Sequence, residues 1–418
     1  MSRIGSRLLA AGLLLALAGC AAAPPPATTP EDVGPLTFVS GQQSQNGQLL
    51  QDLLADAGQV DLRISNDTDL QTAQKVLVDA AAGQRPDAVR VTNATYRLLV
   101  DAGLAQPADF CFDAHPELTD QLDHDLVQAT AIDGVRYQIP WYVTPTALLY
   151  NGDLFRAAGL DPDRPPTTLS EVHAAAAAIA GTGVAGGVTY FGNDFNFQGY
   201  LASAGGQFLA PDGTHTMLDS PAAAAVFDGF AAMVADGSSP VYDNVFAQAS
   251  DAFATGKLGL FVTSASAYPG LAAKGGFDLR IAPMPHPDGG QALAVSSTNG
   301  FVITATDPAR QRAACDALVT LLSPEAVTAT VSATVTVPLN TTAATDPRYL
   351  PPVFDQHPTW PAVLEQELVP WQALPGSGNA EYQDGYVDEQ SRALRGETTG
   401  REAAQRLGQL ADRLIGQS

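Results

Sequence analysis

From residue 36 onward, short apolar stretches alternate with stretches that carry apolar residues on one helical face. Three strand-like segments are each followed by a helical one, in the order 36–40, 47–57, 60–64, 69–82, 87–91 and 96–102. In the second helical segment, Leu70, Ala73 and Leu77 recur at helical spacing. This βαβαβα order predicts an open parallel sheet with helices on both faces.

The alternation is interrupted near residue 142 and then resumes. A strand at 147–150 precedes a helix that Asn151 can cap, and Thr168 with Glu171 forms a capping box for a later helix. Further helix starts are predicted at Ser220-Pro221, Asp307-Pro308 and Ser323-Pro324. A chain of 418 residues is too long for one ordinary domain. We therefore predict two α/β lobes, with residues 35–142 plus 263–304 in lobe I and residues 143–262 plus 305–418 in lobe II.

The segment IPWYVTP, residues 139–145, lies between the two predicted lobes. Its two prolines lack the N–H that a central strand needs, so we predict an interlobe crossing and not a core strand. Ligand sites are common in clefts between domains. We therefore expect the rings of Trp141 and Tyr142 to face a cleft, with a cap on a hydrophobic edge as the alternative.

The N-terminus reads as an export signal. Arg3 and Arg7 precede an apolar run that is too short to span a bilayer, which is typical of a secretory signal peptide at 1–19. The sequence LAGC ending at Cys20 resembles the bacterial lipobox, which implies cleavage before Cys20 and lipid attachment to its sulfur. The alternative is an ordinary signal peptide. The proline-rich residues after Cys20, up to residue 34, are predicted to be a tether between the lipid anchor and the folded chain.

The net charge excludes several partners. It is −23, and removal of residues 1–19 with their two arginines makes it −25. Such a chain repels nucleic acid and anionic headgroups, so we predict no nucleic-acid partner.

Two cysteines, Cys111 and Cys315, follow Cys20. Export permits a disulfide between them. Cys315 lies at helical spacing from Leu318 and Leu322, which suits a buried position, so we favour two separate buried thiols over a bond.

Catalytic and metal-binding motifs are not found in the sequence. Glycines at 181, 183 and 186 match G-x-G-x-x-G but follow a helix and precede a strand, the reverse of a dinucleotide site. The six histidines share no metal-ligand spacing. We predict a protein that is not an enzyme and has no metal or cofactor. An exported glycoside hydrolase, which would need two facing carboxylates, and a structural lipoprotein are the alternatives.

Amides, hydroxyls and rings recur where predicted segments end. They are found at 40–46, 91–93, 190–200, 263–270 and 296–300. Rings stack on the apolar faces of sugars and amides bind hydroxyls, so this pattern favours a neutral polyhydroxylated ligand. For each residue taken alone, a surface turn is an equal alternative.

Four segments together resemble the family 1 extracellular solute-binding proteins of ABC importers. They are ALLYNGDLFRAAGLD at 147–161, DAFATGKLGLF at 251–261, APMPHPDGG at 282–290 with the following NGFVITA, and LLSPEAV through VPLN at 321–340. Within the family, the chain is most similar to the glycerophosphate-binding branch. It departs from that branch because Tyr382-Gln383 falls near the position of the branch's phosphate-binding arginine.

The resemblance implies an α/β, two-lobe, type II periplasmic-binding-protein-like fold, with two open sheets joined by a hinge and a ligand cleft between them. It implies a monomer, lipid-anchored on the outer face of the cell membrane, that delivers a sugar or polyol to a permease. A glycerophosphodiester or glycerol 3-phosphate is the second expectation. The candidate ligand-binding residues are Gln43, Asn93, Trp141, Thr144, Phe195, Asn196, Ser264, Ser266, Asn299, Gly300 and Tyr382.

Overall fold

The computed structural model describes residues 33–41, 45–132 and 134–416. Cys20 and Gln43 lie outside the described residues. The strands of the described chain are β1 Leu36–Ser40, β2 Val60–Ile64, β3 Ala88–Thr92, β4 Ala131–Ile132, β5 Val135–Arg136, β6 Gln138–Asn151, β7 Ala185–Val188, β8 Leu258–Ser264, β9 Leu279–Pro283, β10 Leu293–Ile303 and β11 Glu367–Pro370.

Helices surround these strands. They are α1 Gln45–Leu54, α2 Asp69–Ala81, α3 Tyr96–Asp101, α4 Asp109–Ala114, α5 Pro116–Thr119, α6 His124–Gln128, α7 Gly152–Ala157, α8 Leu169–Ala180, α9 Phe195–Ser203, α10 Pro221–Ala235, α11 Val245–Ala254, α12 Tyr268–Lys274, α13 Pro308–Val319, α14 Pro324–Thr334, α15 Thr341–Thr345, α16 Pro351–Gln356, α17 Trp360–Leu364, α18 Asn379–Leu394 and α19 Gly400–Ile415. Two short 3-10 helices are Ala265–Ala267 and Thr320–Leu322.

The predicted βαβαβα start and the predicted caps are present. Strands β1, β2 and β3 are parallel, and α1, α2 and α3 follow them. Thr168 and Glu171 form the capping box of α8, because each side chain accepts a hydrogen bond from the other residue's backbone N–H. Local capping chemistry therefore determines these helix starts.

Nine of these strands form one mixed sheet, with the order β2-β1-β3-β10-β6-β8-β7 along its main path, and β4 pairs with β5 in a separate two-stranded sheet. The long strands β6 and β10 are antiparallel and connect the two ends of the larger sheet, while β11 pairs with β10 and β9 with β6. The two predicted sheets are thus continuous through two shared strands, and the predicted α/β class is present.

The prediction that IPWYVTP is not a core strand is wrong. All 14 residues of β6 are buried, including both prolines. The register between β6 and β10 shifts at Asn299 and Gly300, where Trp141 is the extra residue of a bulge. A Cβ at Gly300 would overlap the carbonyl oxygen of Ile139 and lie 2.8 Å from the Cα of Pro140. A bulge opposite a glycine therefore lets a proline-containing segment run through the centre of a sheet.

Apolar side chains collect into two main cores. The first contains β1 with α1 and α4, and the apolar face of residues 314–322 also lies in it. The second contains β8 with α8 to α10 and α19, and residues 265–294 contribute to it. From Val33 onward the chain forms one compact unit, so no boundary between lobes is set and the predicted division stays a prediction.

Cys111 and Cys315 form a disulfide, so the preference for two separate thiols is wrong. Both residues are buried, as the helical spacing of Cys315 predicts. Their Cα atoms are 5.6 Å apart although 204 positions separate them in the chain. The packing of α4 against α13 brings the two thiols together, and the spacing of the cysteines along the chain does not indicate that contact.

Among the described residues, no single helix is long and apolar enough to cross a membrane. One bent pair of helical segments, Pro308–Leu322 with Pro324–Thr334, is long and apolar enough to do so by length and composition alone.

Candidate functional site: a cleft with a polar cluster and an aromatic row

A cavity of about 1080 Å³ opens between elements of the two cores. Helix α1 contributes lining residues from the first core, and α2 with strand β3 contributes from a third, smaller core. Helices α11, α12 and α18 contribute from the second core. Strands β6 and β10 supply further side chains where they cross between the cores. The volume is at the upper end of the range for small-molecule sites.

Five polar side chains, Asn46, Asp69, Arg90, Tyr142 and Asn299, form what we call the polar cluster. Arg90 donates to the Asp69 carboxylate at 2.6 Å, to the Asn299 amide oxygen at 2.6 Å and to the Tyr142 hydroxyl at 3.1 Å. Asn46 also donates to that hydroxyl, at 3.1 Å. All five residues line the cavity, so a polar ligand meets an ordered set of donors and acceptors there.

The charge of the cluster is balanced internally. The side chains of Arg90 and Asp69 are 5% and 11% exposed, and they form an ion pair. Burial lowers the pKa of Arg90, but the nearby charge of Asp69 and the hydrogen bonds to Tyr142 and Asp69 outweigh burial, so the net shift of the Arg90 pKa is upward. The cluster therefore presents a fixed dipole and not a net charge.

Four rings, Trp371, Phe195, Phe191 and Phe246, form what we call the aromatic row. Consecutive ring centroids are 5.4, 6.3 and 5.9 Å apart, which is the normal range for packed aromatic pairs. The row leads from half-buried Trp371 to Phe246, whose side chain is 51% exposed. All four rings line the cavity and offer apolar surface along it.

Trp371 is held by a buried carboxylate. Its indole Nε1–H donates to Asp194 at 2.8 Å, and Gln383 and Gln198 donate to the same carboxylate at 2.8 and 2.7 Å. Burial raises the pKa of Asp194, although its hydrogen bonds and the nearby Tyr382 hydroxyl oppose that shift.

Three hydroxyls form a chain at one side of the cavity. The oxygens of Thr144 and Ser264 are 2.7 Å apart, and those of Ser264 and Ser266 are 2.8 Å apart. All three residues line the cavity. A chain of hydroxyls can donate or accept in either direction, so it can adapt to the hydroxyls of a ligand.

Five of the candidates predicted from sequence line this cavity: Thr144, Phe195, Ser264, Ser266 and Asn299. They lie together because β6, β8 and β10 are neighbours in the sheet and because Phe195 begins α9 next to them. The structure thus brings these five residues together, and their role in ligand binding stays a prediction.

Other candidates have structural positions. Trp141 is buried in the first core, where its indole donates to Thr330 at 3.1 Å, so it is a packed ring and not a stacking surface. The Asn196 amide donates to two backbone carbonyls at 2.9 Å and is fully buried. Tyr382 is buried in the second core, and Gly300 serves the bulge opposite Pro140.

Asn93 contacts a residue that lines the cavity without lining it itself. Its amide donates to the backbone carbonyl of Trp371 at 2.6 Å and its oxygen accepts from Ser297 at 3.3 Å. It is thus placed to hold the aromatic row, although it is not among the lining residues.

Sequence reasoning missed Arg90, Asp69 and Trp371. A signal for Arg90 was available, because a lone arginine inside the apolar strand AVRVT needs a buried partner. No comparable signal marks Trp371, which is brought to the cavity by the pairing of β11 with β10.

One group of potential metal ligands is found among the described residues. It consists of His115, Cys315 and Asp316, whose ligand atoms lie within 4.8 Å of one another. The Cys315 sulfur is already bonded to Cys111, so the group does not offer a thiolate.

The fold has counterparts among solved structures, and these confirm the periplasmic-binding-protein-like fold. A protein of Arthrobacter globiformis that binds cyclic α-maltosyl-1,6-maltose matches with a TM-score of 0.76 and 23% identity, over 92% of this chain and 100% of that one. An ABC substrate-binding protein of Listeria monocytogenes, solved with cycloalternan, matches with a TM-score of 0.79 and 17% identity, over 91% and 99%. UgpB of Mycobacterium tuberculosis, solved with glycerophosphocholine, matches with a TM-score of 0.79 and 21% identity, over 92% and 99%.

Sequence comparison gives a family. Proteins of Brucella abortus and Brucella suis described as binding proteins are 27% identical over 201 residues, which is 46% of this chain. The match spans about half the length of these relatives, 47%. Residues 48–362 match the family described as bacterial extracellular solute-binding protein, which is non-enzymatic and so confirms the prediction that this chain is not an enzyme. With a match over most of its length, the chain belongs to the bacterial extracellular solute-binding protein family.

Proposed function

We propose that this protein captures a neutral sugar or related polyol in its cleft and delivers it to the permease of an ABC importer. The observation that carries the proposal is the pairing, in one cavity, of the internally neutralised polar cluster with the aromatic row. Sugars present hydroxyls at their edges and apolar C–H groups on their faces, and these two sets of residues match the two kinds of surface.

The electrostatics favour a neutral ligand over an anion. Arg90 is paired with Asp69, so its charge is not free for a phosphate. The net charge of −23 also disfavours the approach of an anion. The Arthrobacter neighbour, which binds cyclic α-maltosyl-1,6-maltose, and the Listeria neighbour, solved with cycloalternan, support the sugar class by analogy of fold.

A glycerophosphodiester is the second candidate. Lys274 lines the cavity and forms no ion pair within the described part of the chain, so it is available to an anionic group. A ligand with a quaternary ammonium group could also stack on the aromatic row. Glycerophosphocholine, the ligand of the UgpB neighbour, combines both groups.

Ligand capture is proposed to close the cleft by a hinge at β6 and β10. A ligand that touches residues of both cores binds the closed form better, and only that difference shifts the population. The core contacts favour a revised division, in which residues 265–294 belong to the second lobe and Pro308–Leu322 belongs to the first. Small-angle scattering would detect closure as a smaller radius of gyration, and an unchanged radius at saturation would indicate a rigid binding module.

The membrane anchor is also a proposal. We expect lipid on Cys20, a tether up to residue 34, and a position on the outer face of the cell membrane. Cys20→Ala should release the protein from membranes. Retention of that variant in the membrane, with its signal peptide cleaved elsewhere, would contradict the anchor.

A thermal-shift screen tests the ligand class. Mono- and oligosaccharides, polyols and glycerophosphocholine are each added to the protein, and a ligand present at 100 times its Kd should add about 2.7 kcal/mol of stability. Stabilisation by a sugar that Lys274→Met leaves unchanged supports the first candidate. Stabilisation by glycerophosphocholine that Lys274→Met weakens supports the second. No response from any of these classes contradicts both and favours a structural role.

A further inference from the structure

Asp194 is a fully buried carboxylate with no cationic partner in the described ranges of the chain. Its oxygens accept from three neutral N–H groups, those of Trp371, Gln383 and Gln198. A buried carboxylate without a counter-ion lowers stability unless its hydrogen bonds are complete. Its presence here therefore needs an explanation other than stability.

The three donors place the carboxylate at the junction of two segments. Gln198 lies on α9 and is bonded to Gln372 twice, accepting from its backbone N–H and donating to its carbonyl, both at 2.9 Å. Gln383 lies on α18 and also accepts from the backbone N–H of Asp194, at 3.3 Å. The side chains of α9 and α18 thus hold residues 371–372 against the second core.

The backbone of Trp371 is bonded to different elements. Its N–H donates to the Ser296 carbonyl on β10 at 2.9 Å, and its carbonyl accepts from Asn93 at 2.6 Å. Asn93 directly follows β3, which belongs to the first half of the sheet. The main chain at Trp371 is therefore hydrogen-bonded to β10 and to the residue after β3, while the indole is hydrogen-bonded to Asp194.

We propose that Asp194 is the positioning residue for Trp371, holding the indole against Phe195 so that its face stays available to a ligand in the cleft. The inference rests on the proposed function only in naming a ligand. The indole is half-buried, its ring packs against Phe195 in a T-shaped pair with centroids 5.4 Å apart, and one hydrogen bond from its Nε1–H fixes its orientation. Without that bond, rotation about the side-chain torsions can turn the ring away from the row.

A carboxylate suits this task because it only accepts hydrogen bonds and has about four acceptor sites. Two of the three donors, Trp371 and Gln383, share one oxygen. An asparagine oxygen can accept from those same two groups, whereas an alanine can accept from neither. The asparagine N–H₂ replaces the oxygen that accepts from Gln198, so Asp194→Asn loses that one bond. It should still preserve the position of the indole, which Asp194→Ala should lose.

The first measurement needs no ligand. The chain has three tryptophans, so its amide NMR spectrum has three indole N–H signals, and Trp371→Phe assigns the one from Trp371. In Asp194→Ala, we expect that signal to move and its hydrogen exchange to accelerate at least tenfold, while Asp194→Asn retains the wild-type behaviour. Asp384→Ala, which removes an exposed acid from α18, is the matched control and should leave the signal in place.

The second measurement uses maltotriose and glycerophosphocholine as probes in calorimetry. Asp194→Ala should weaken binding about tenfold, Asp194→Asn should restore most of it, and Asp194→Ala should have no further effect in a Trp371→Ala background. A full additional loss in that background would overturn the inference, because Asp194 would then act through another group.

The two measurements fail independently. If neither probe binds the wild-type protein, that result counts against the proposed ligands, and the indole signal still decides the role of Asp194. A Trp371 signal that stays unshifted and protected in a folded Asp194→Ala protein would overturn the inference. If Asp194→Ala does not fold, Gln383→Ala removes a donor to the same oxygen, and the same shift of the Trp371 signal, in a smaller amount, is expected.

Discussion

Removal of the Asp69 charge should leave the buried guanidinium of Arg90 without its counter-ion. In Asp69→Asn, Arg90 remains 5% exposed and loses the carboxylate 2.6 Å away, while its contacts to Tyr142 and Asn299 remain neutral. Breaking a buried ion pair by removing one partner costs about 3–5 kcal/mol. Because the pair lines an open cavity that water can enter, we expect a value near 3 kcal/mol.

The corresponding change in Tm is measurable. The compact unit has roughly 390 residues, and an unfolding entropy of about 2.1 cal/mol/K per residue amounts to about 0.8 kcal/mol/K. A loss of about 3 kcal/mol therefore lowers Tm by about 4 °C. Differential scanning calorimetry gives the shift, and urea denaturation gives the free energy independently.

A matched control is available close by in the sequence. Asp61 pairs with Arg63 at 2.9 Å, but their side chains are 50% and 65% exposed. Asp61→Asn should cost under about 1 kcal/mol and lower Tm by about 1 °C or less. Equal losses for Asp69→Asn and Asp61→Asn would refute the description of the polar cluster as a desolvated ion pair.

A double replacement separates stability from function. Asp69→Leu with Arg90→Met removes both charges and should recover most of the stability that Asp69→Asn loses, since apolar pairs often replace buried ion pairs without cost. Ligand binding should not recover, because the hydrogen bonds that the pair offers to the cavity are gone.

Three further outcomes are expected. Gly300→Ala should cost about 1–3 kcal/mol by overpacking the bulge, whereas Gly276→Ala, which meets no atom within 4 Å, should be nearly neutral in the same urea titration. Burial raises the pKa of the Asp194 carboxyl above its usual 3.8, so the folded protein binds this proton more tightly than the unfolded chain does. The bound proton therefore contributes its full stabilisation below about pH 3.8. The stability of wild type relative to Asp194→Asn should then fall as pH rises from about 4 through the raised pKa, and a difference independent of pH would contradict the shift. Reduction of the bond between Cys111 and Cys315 should lower stability by up to about 5 kcal/mol, given the long loop, and a double serine variant that no longer responds to reductant is the control.

Local chemistry determined much of the secondary structure before any tertiary contact. Thr168 and Glu171 specify the start of α8, and Ser220 with Pro221 specifies the start of α10, because capping involves residues only a few positions apart. The alternation from β1 to α3 likewise depends on periodicities of two and 3.6 residues. Patterns of this range were sufficient for the α/β class, whereas the periplasmic-binding-protein-like fold was expected from the family resemblance.

Contacts between distant segments decided the site. The sequence marked Thr144, Ser264 and Asn299 because they end or interrupt predicted strands, and the sheet then placed them in one cavity. It could not separate Trp141, which faces the core, from Trp371, which faces the cleft. Which face a ring occupies depends on the bulge in β6 and on the pairing of β11 with β10, partners more than 70 residues apart in the chain.

The buried charges show the same limit most directly. The single arginine in the apolar strand AVRVT indicates that it has a buried polar or charged partner, because an unpaired buried charge strongly destabilises a protein. Its partners are Asp69, Tyr142 and Asn299, at sequence separations of 21, 52 and 209. The sequence indicates that Arg90 needs buried partners, but only the three-dimensional packing determines which residues these are. Hydrogen bonds and ion pairs depend on distances in space and not on separation along the chain.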